Sequence, residues 1–369
     1  KCKMKKVLLA MMLMIVALLG FAACGNEGNI DDPTPTGYPY PQESAPAGGG
    51  QVLVFNWGHF IYEPVLTMFE EETGIRVIYA TYGTNEEMYE RVVGGGAQFD
   101  VLFPSDYMIE RMANEGLLTR LNWDNIPNRQ YIDDKFWGWQ HDPNNLYSVP
   151  YMWGTFGIVY NTNMVEGPVD SWSILWDEQF ANQIFMYDSS RCSIGVAQHL
   201  LGYSLNSTNI DELHAARNLL IEQAPLVRAF LGDQVIDAMI GNEAALATVF
   251  SGDALWIKYY APEHNFVNPR EGVQLFIDSM VIPANAPNPT NAEIFINFMT
   301  RPDIAYLNTR HIRYSTTNAA AFAMLPDYWQ NDPIYWPDDE VLARGEVFVD
   351  LGDFRSQVEQ AWTQIMVSR

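Results

Sequence analysis

Beyond an atypical opening, apolar positions alternate between two rhythms, one of strands and one of helices. The run Val52-Leu53-Val54-Phe55-Asn56-Trp57 is short and apolar, as a buried strand requires. Pro64 then suits the first turn of a helix, with Val65, Leu66, Met68 and Phe69 as its apolar face and Gly74 as its stop. Arg76 to Tyr79 read as the next strand. Thr84 with Glu87 forms a capping box that opens a helix through Val92 and Val93, stopped by Gly94-Gly95-Gly96. Phe99 to Phe103 predict a strand, and Ser105 is placed to cap a helix running through Met112. Past Tyr151, strands are expected at Gly157 to Asn161, Ile184 to Tyr187, Ala245 to Phe250 and Val273 to Ile282. Helices are expected at Arg191 to Leu201, Asp211 to Glu222, Gln234 to Ile240, Asn291 to Met299, Pro302 to Asn308 and from Asp353 onward. Such alternation predicts an α/β fold with a largely parallel sheet.

The first 50 residues break this pattern. Lys5 and Lys6 precede an apolar run from Val7 to Ala23, and Cys24 follows at once. A positive start, an apolar core and small residues before the cut predict a signal peptide over residues 1–24. The run is short for a helix that must cross ~30 Å of hydrocarbon. Residues 25–50 are dominated by Pro, Gly, Ser, Asn and Asp, ending in Gly48-Gly49-Gly50. That composition cannot bury enough apolar surface to fold and predicts a flexible linker. Ala22-Ala23-Cys24 resembles the lipobox of bacterial lipoproteins, although Phe21 stands where that pattern prefers Leu. The resemblance implies that Cys24 is acylated and anchors the chain to a membrane. An ordinary signal peptide with an incidental cysteine is the alternative.

The remaining length, with 48% hydrophobic residues overall, suits two domains. Asp and Glu number 45 against 21 Lys and Arg. This balance argues against nucleic-acid binding, which needs clustered basic residues; an acidic field suits cationic ligands, but it is first a property of the whole surface that keeps an exported protein soluble. None of the six histidines has metal-ligand spacing, and no nucleophile elbow or phosphate-cradling loop is present. Neither a metal nor a cofactor is expected, and an enzyme is disfavoured. Cys192 is left without an internal disulfide partner if Cys24 carries lipid.

In open α/β sheets ligands gather beyond the carboxyl ends of the strands. That rule selects Trp57 with His59 and Phe60, then Ser105 to Tyr107, then Asp188, Ser189 and Cys192, then Phe250 to Asp253, and Asp278. Most of these places pair a ring with a polar or acidic side chain. Ring faces attract an alkylammonium ion by about 0.5–2 kcal/mol each, and carboxylates accept its N–H donors. Aromatic residues make up 13% of the chain, so most rings serve the core.

Phe55-Asn56-Trp57, Glu72-Thr73-Gly74-Ile75-Arg76-Val77, Tyr82-Gly83-Thr84-Asn85-Glu86-Glu87-Met88-Tyr89 and Ser148-Val149-Pro150-Tyr151-Met152-Trp153-Gly154 belong to an ordered series, from Val52 to the C-terminus, that resembles the periplasmic spermidine/putrescine-binding proteins of ABC importers. So do Ser251-Gly252-Asp253-Ala254 and Asp278-Ser279-Met280-Val281-Ile282-Pro283. The resemblance implies a two-lobed periplasmic binding protein fold of type II, with crossing hinge strands and a ligand cleft between lobes. One lobe is expected from residues 51–155 and 277–322, the other from 156–276 and 323–369. It further implies a monomeric, lipid-anchored protein, in the periplasm or on the outer face of the cell membrane. Its implied task is to pass a small polyamine to a membrane permease.

Carried over by position, Trp57, Tyr107 and Tyr314 match cage rings, Ser105 a polar contact, and Asp278 the carboxylate that anchors an amine. Phe60 replaces a Tyr, and Phe250 and Phe276 replace Trp. Ser189 and Cys192 stand where the family has acids, with Asp188 beside them. A family acid falls at His59, and a Gln at Phe348. These departures leave open a shorter diamine, a differently spaced polyamine, or another cationic or neutral solute such as a sugar. A surface lipoprotein without a transport role is a further alternative.

Overall fold

The computed structural model describes residues 49–95 and 98–368. The expected signal peptide, Cys24, Gly96 and nearly all of the linker lie outside them. Eleven strands are formed among the described residues: β1 (Gln51–Trp57), β2 (Arg76–Tyr82), β3 (Val101–Leu102), β4 (Ser148–Asn161), β5 (Ile184–Tyr187) and β6 (Val227–Leu231), followed by β7 (Leu246–Phe250), β8 (His264–Val267), β9 (Val273–Val281), β10 (Ser315–Thr316) and β11 (Gly345–Val347). They join in the order β2-β1-β3-β9-β4-β7-β5-β6, with β8 and β10 on β4 and β11 on β9.

The sheet is mixed, which corrects the expectation of a largely parallel one. Strands β2, β1 and β3 are parallel, as are β7, β5 and β6, but every pairing between those flanks is antiparallel. The cause is β4, whose 14 residues pair first with β9 (Ser148↔Val281 through Phe156↔Gln274) and then with β7 (Phe156↔Phe250 through Tyr160↔Leu246). Only its second half is legible in the sequence, because Pro150, Gly154 and Gly157 read as breaks. Pro150 instead sits at a register shift, where the missing N–H costs no ladder bond. Gly157 is required by close approach: a Cβ there would overlap the Val267 carbonyl and the Phe266 ring. Asp142 fixes the entry to β4 by accepting from the backbone N–H groups of Leu146, Tyr147 and Ser148 at 2.8–3.0 Å.

Local signals account for most helices. The helix Pro64–Thr73 carries Pro in its first turn and ends at Gly74, φ 71°. Thr84 accepts from the Glu87 N–H at 3.0 Å, so the cap forms, while the Glu87 carboxylate accepts from the N–H of Gly83, one residue before the cap, instead of closing the box on Thr84. Caps of this kind stabilise by about 1 kcal/mol. The pattern misses the helix Ser251–Tyr260 and strand β6.

The largest apolar cores gather different segments. One draws Val52, Val65, Phe69, Phe103 and Met152 together with Met280, Phe295 and Ile304. Another draws Phe156, Trp172, Ile184, Val196 and Leu220 together with Phe348, Val358 and Ile365. Each fully buried side chain of this size contributes about 1.5–3 kcal/mol. The strands β4 and β9 run between these cores.

Candidate ligand-binding site

Strand ends and crossing strands converge on one set of side chains. Trp57 closes β1, Tyr187 closes β5 and Phe250 closes β7, while β9 carries Phe276 and Asp278. Tyr314 immediately precedes β10. Ser105 occupies the N-cap position of the helix Asp106–Asn114 but does not cap it. Its hydroxyl donates instead to Asp278 Oδ1 at 2.7 Å. By contrast, Ser189 accepts from the Cys192 N–H at 3.4 Å and caps the helix Ser190–Leu200.

The rings form a continuous edge-on series. Centroids lie 5.1 Å apart for Phe60 and Tyr314, 5.9 Å for Tyr314 and Phe276, 5.1 Å for Phe276 and Phe250, and 5.2 Å for Phe250 and Tyr187. Edge-to-face pairs of this kind add about 0.5–1.5 kcal/mol each beyond burial. Trp57 stands on another side, with its indole N–H donating to the Phe103 carbonyl at 2.7 Å and its ring 4.7 Å from Tyr82. The Tyr82 hydroxyl donates to the same carbonyl at 2.8 Å. Tyr107 donates to Glu86 at 2.9 Å, accepts from Asn85 at 3.1 Å, and meets Phe348 edge-on at 6.2 Å.

Acidic groups flank this wall. Asp278 and Asp253 are both buried, and burial pushes each carboxyl up to about 7. Hydrogen bonds from Ser105 and from Tyr314 (2.7 Å to Asp253 Oδ1) only partly offset that desolvation. Neither carboxylate has a basic partner in an ion pair among the described residues. Asp106, behind Asp278, is pushed up to about 8 by burial, although it accepts from the N–H groups of Tyr107 and Ile277. Asp233 is raised by burial and lowered by the nearby charge of His59 and by Tyr187. It also adds to the field that raises Asp253. A charge with no counter-ion in a desolvated place is costly, so burial favours the protonated form of these carboxyls and a nearby cation favours the ionised one.

Most residues selected from the sequence meet here, with differences in detail. His59 takes φ 51° in the turn after β1, and a Cβ on Gly58 would stand 3.5 Å from Asp233 Oδ2. Phe60 packs mainly into a core, its ring edge-on to Tyr151 as well as Tyr314. Cys192 is buried among core side chains, and burial pushes its thiol up to about 12, so it is inert as a nucleophile. Asp188 is exposed at the end of β5. Asp106, inside the selected stretch Ser105 to Tyr107, belongs to the arrangement, and Asp233, Tyr187 and Tyr82 join it beyond the residues that the strand-end rule selects. Asp233 follows β6, Val227-Arg228-Ala229-Phe230-Leu231, a short strand whose apolar run is broken by Arg228. Had β6 been read, the strand-end rule would have pointed to Asp233.

Residues 65–336 match the family model described as bacterial extracellular solute-binding protein. The spermidine/putrescine-binding periplasmic protein of Salmonella typhimurium is 34% identical over 330 residues, covering 88% of this chain and 94% of its own length. A solved structure described as a putative spermidine/putrescine ABC transporter from Listeria monocytogenes is 38% identical, with TM-score 0.84, covering 86% of this chain and 99% of that one. The spermidine/putrescine ABC transporter substrate-binding protein of Streptococcus pneumoniae is 35% identical, with TM-score 0.76 and the same coverage.

Proposed function

The chain belongs to the bacterial extracellular solute-binding proteins and has their two-lobed α/β fold; on that premise we propose that it captures polyamines of the putrescine/spermidine class for an ABC permease. The observation that carries this reading is the presence of two buried acids with one ring series: Asp253 bonds Tyr314, whose ring meets Phe276 and through it Phe250, and Asp278 lies two residues beyond Phe276 on β9. Both carboxylates are buried, each is bonded to a neutral hydroxyl, and neither has a basic partner among the described residues. Protonated amines supply the missing charge, and the rings take the methylene chain between them. Trp57, His59, Phe60, Ser105, Tyr107, Asp188, Ser189 and Cys192 complete the proposed lining.

We divide the lobes at β4 and β9, assigning residues 51–155 and 277–322 to one and 156–276 and 323–369 to the other. The separate cores that β4 joins, with Met152 in one and Phe156 in the other, support that division. On this division the bond from Tyr314 to Asp253 and the one from the Asp350 N–H to Glu110 (2.8 Å) both cross between lobes. A ligand touching both lobes favours their closed arrangement by its differential contacts, and the closed protein docks on the permease. It acts as a carrier without chemistry of its own.

Calorimetric titration with putrescine, spermidine and a neutral sugar tests the reading. Binding of a polyamine but not the sugar, weakening with added salt, is expected. Sugar binding with no response to polyamines would overturn it. Lipidation at Cys24 is proposed to hold the protein on the outer face of a membrane. Detergent partitioning of the full chain checks this: Cys24→Ser is expected to move from the detergent phase to the aqueous phase, and an unchanged distribution refutes the anchor.

A further inference from the structure

Charges along the site fall in a definite order. At one end Asp233 and Asp253 lie beside Tyr187 and His59. The rings Phe250, Phe276 and Tyr314 follow, then Asp278 with Ser105. Past Asp278 come Asp106 and Tyr107, and beyond these stands Arg191.

Arg191 differs from every acid in the series by being held on all sides. Its guanidinium donates to the carbonyls of Val349 (3.2 Å) and Leu205 (3.5 Å) and to Asn206 Oδ1 (3.2 Å). It lies over the Phe348 ring at 4.2 Å and near the Tyr107 ring at 5.5 Å. The acids on this side, Asp106 and Glu86, already sit in its positive field. Glu86 is also engaged by the Tyr107 hydroxyl. Next to Arg191, Cys192 offers only a neutral buried thiol. The site therefore has two acidic positions without a cation of their own, and past the second one the resident charge is positive.

Resting on the polyamine reading, we propose that Arg191 is a specificity-determining residue that restricts the ligand to two ammonium groups. A diamine places one ammonium by Asp253 and Asp233 and the other by Asp278. A third ammonium carried past Asp278 meets a fixed guanidinium, while Asp106 there already accepts from two backbone N–H groups and Glu86 from the Tyr107 hydroxyl. Like-charge juxtaposition of this kind discriminates by repulsion, independently of how well the first two amines are held.

The test compares three ligands on the unaltered protein by calorimetry: putrescine, spermidine and N-propylputrescine. The last has the heavy-atom skeleton of spermidine without its terminal amine, so it separates charge from length. Spermidine is expected to bind roughly tenfold or more weaker than N-propylputrescine. Arg191→Met, which keeps a long apolar stem over Phe348, is expected to narrow that gap to about threefold or less. Spermidine binding as tightly as N-propylputrescine overturns the proposal and leaves the polyamine reading intact. Equal weakness of both tailed ligands relative to putrescine also overturns it, because length and not charge would then set the limit. If none of the three binds, the polyamine reading itself fails and this inference goes with it.

Discussion

Asp278 and Asp253 share burial, a hydroxyl partner at 2.7 Å and a carboxyl pushed up to about 7, yet they are held in opposite ways. Asp278 lies on β9, a strand paired on both sides, and its partner Ser105 belongs to the same proposed lobe. Asp253 lies in the first turn of the helix Ser251–Tyr260, and its partner Tyr314 reaches it from the other proposed lobe. On the proposed division the Asp278 end is built within one lobe, while the Asp253 end needs a residue from each. Preformed contacts cost no ordering when the ligand binds, and contacts made on closure report the conformational step.

The comparison is broken most severely by removing the preformed charge. Asp278→Asn keeps the shape and the Ser105 contact but leaves a buried ammonium without its counter-charge. Affinity for putrescine is expected to fall about 10²–10³-fold by calorimetry, in the range of a lost buried charge partner. Retained affinity would show that Asp278 is structural and that the site lies elsewhere.

Closure is tested next, at Gly252. A Cβ on this residue would overlap the Tyr314 ring, so the backbone of the Asp253 helix and that ring approach one another only because position 252 carries no side chain. Gly252→Ala is expected to weaken putrescine binding about tenfold or more by holding the lobes apart. Its thermal midpoint without ligand should stay close to that of the parent protein. A lowered midpoint with unchanged affinity would make this contact a matter of packing and remove it from the closing step.

Tyr314→Phe is a milder probe of the same end. It deletes the hydroxyl bond to Asp253 and keeps the ring against Phe60 and Phe276. A loss of about 5- to 10-fold in affinity is expected, as for one ordinary hydrogen bond. The same change made in the Gly252→Ala background should cost less, because the bond is then already strained.

The two ends also differ in how plainly the sequence displays them. Asp278 is legible because β9 is a mainly apolar run and the motif from Asp278 to Pro283 carries its own resemblance. Its partner Ser105 was legible as a position but misread as a role: a serine before a helix predicts a cap, and only the fold brings Asp278 within reach of its hydroxyl. The other end was harder to see. Asp233 follows β6, which has an exposed Arg228 in its middle, and nothing local distinguishes it from a solvated helix start. The mixed sheet was hidden by Pro150, Gly154 and Gly157, whose real service is to let β4 cross between the cores. Helix caps and apolar faces are local and survive as pattern; a contact between residues 61 positions apart, as Tyr314 and Asp253 are, has no local trace.

The smallest expected effect is also the one that both ends share. A carboxyl raised to about 7 must lose its proton to hold an ammonium, so affinity falls as pH falls through that value. Between pH 8 and pH 7 a drop of about two- to threefold is expected from the two groups together, with proton release on binding measured by calorimetry in buffers of different ionisation enthalpy. The sign for stability is the reverse. The folded pKa of Asp278 exceeds the unfolded value of about 3.9, so its contribution is fully present below pH ~4 and is lost as pH rises through 7. The ligand-free protein should therefore lose thermal stability relative to Asp278→Asn between pH 5 and pH 8, while putrescine should restore more stability at pH 8 than at pH 6. If the two melting curves instead run parallel across that range, Asp278 is not desolvated in the free protein. Its end of the site would then be no more preformed than that of Asp253.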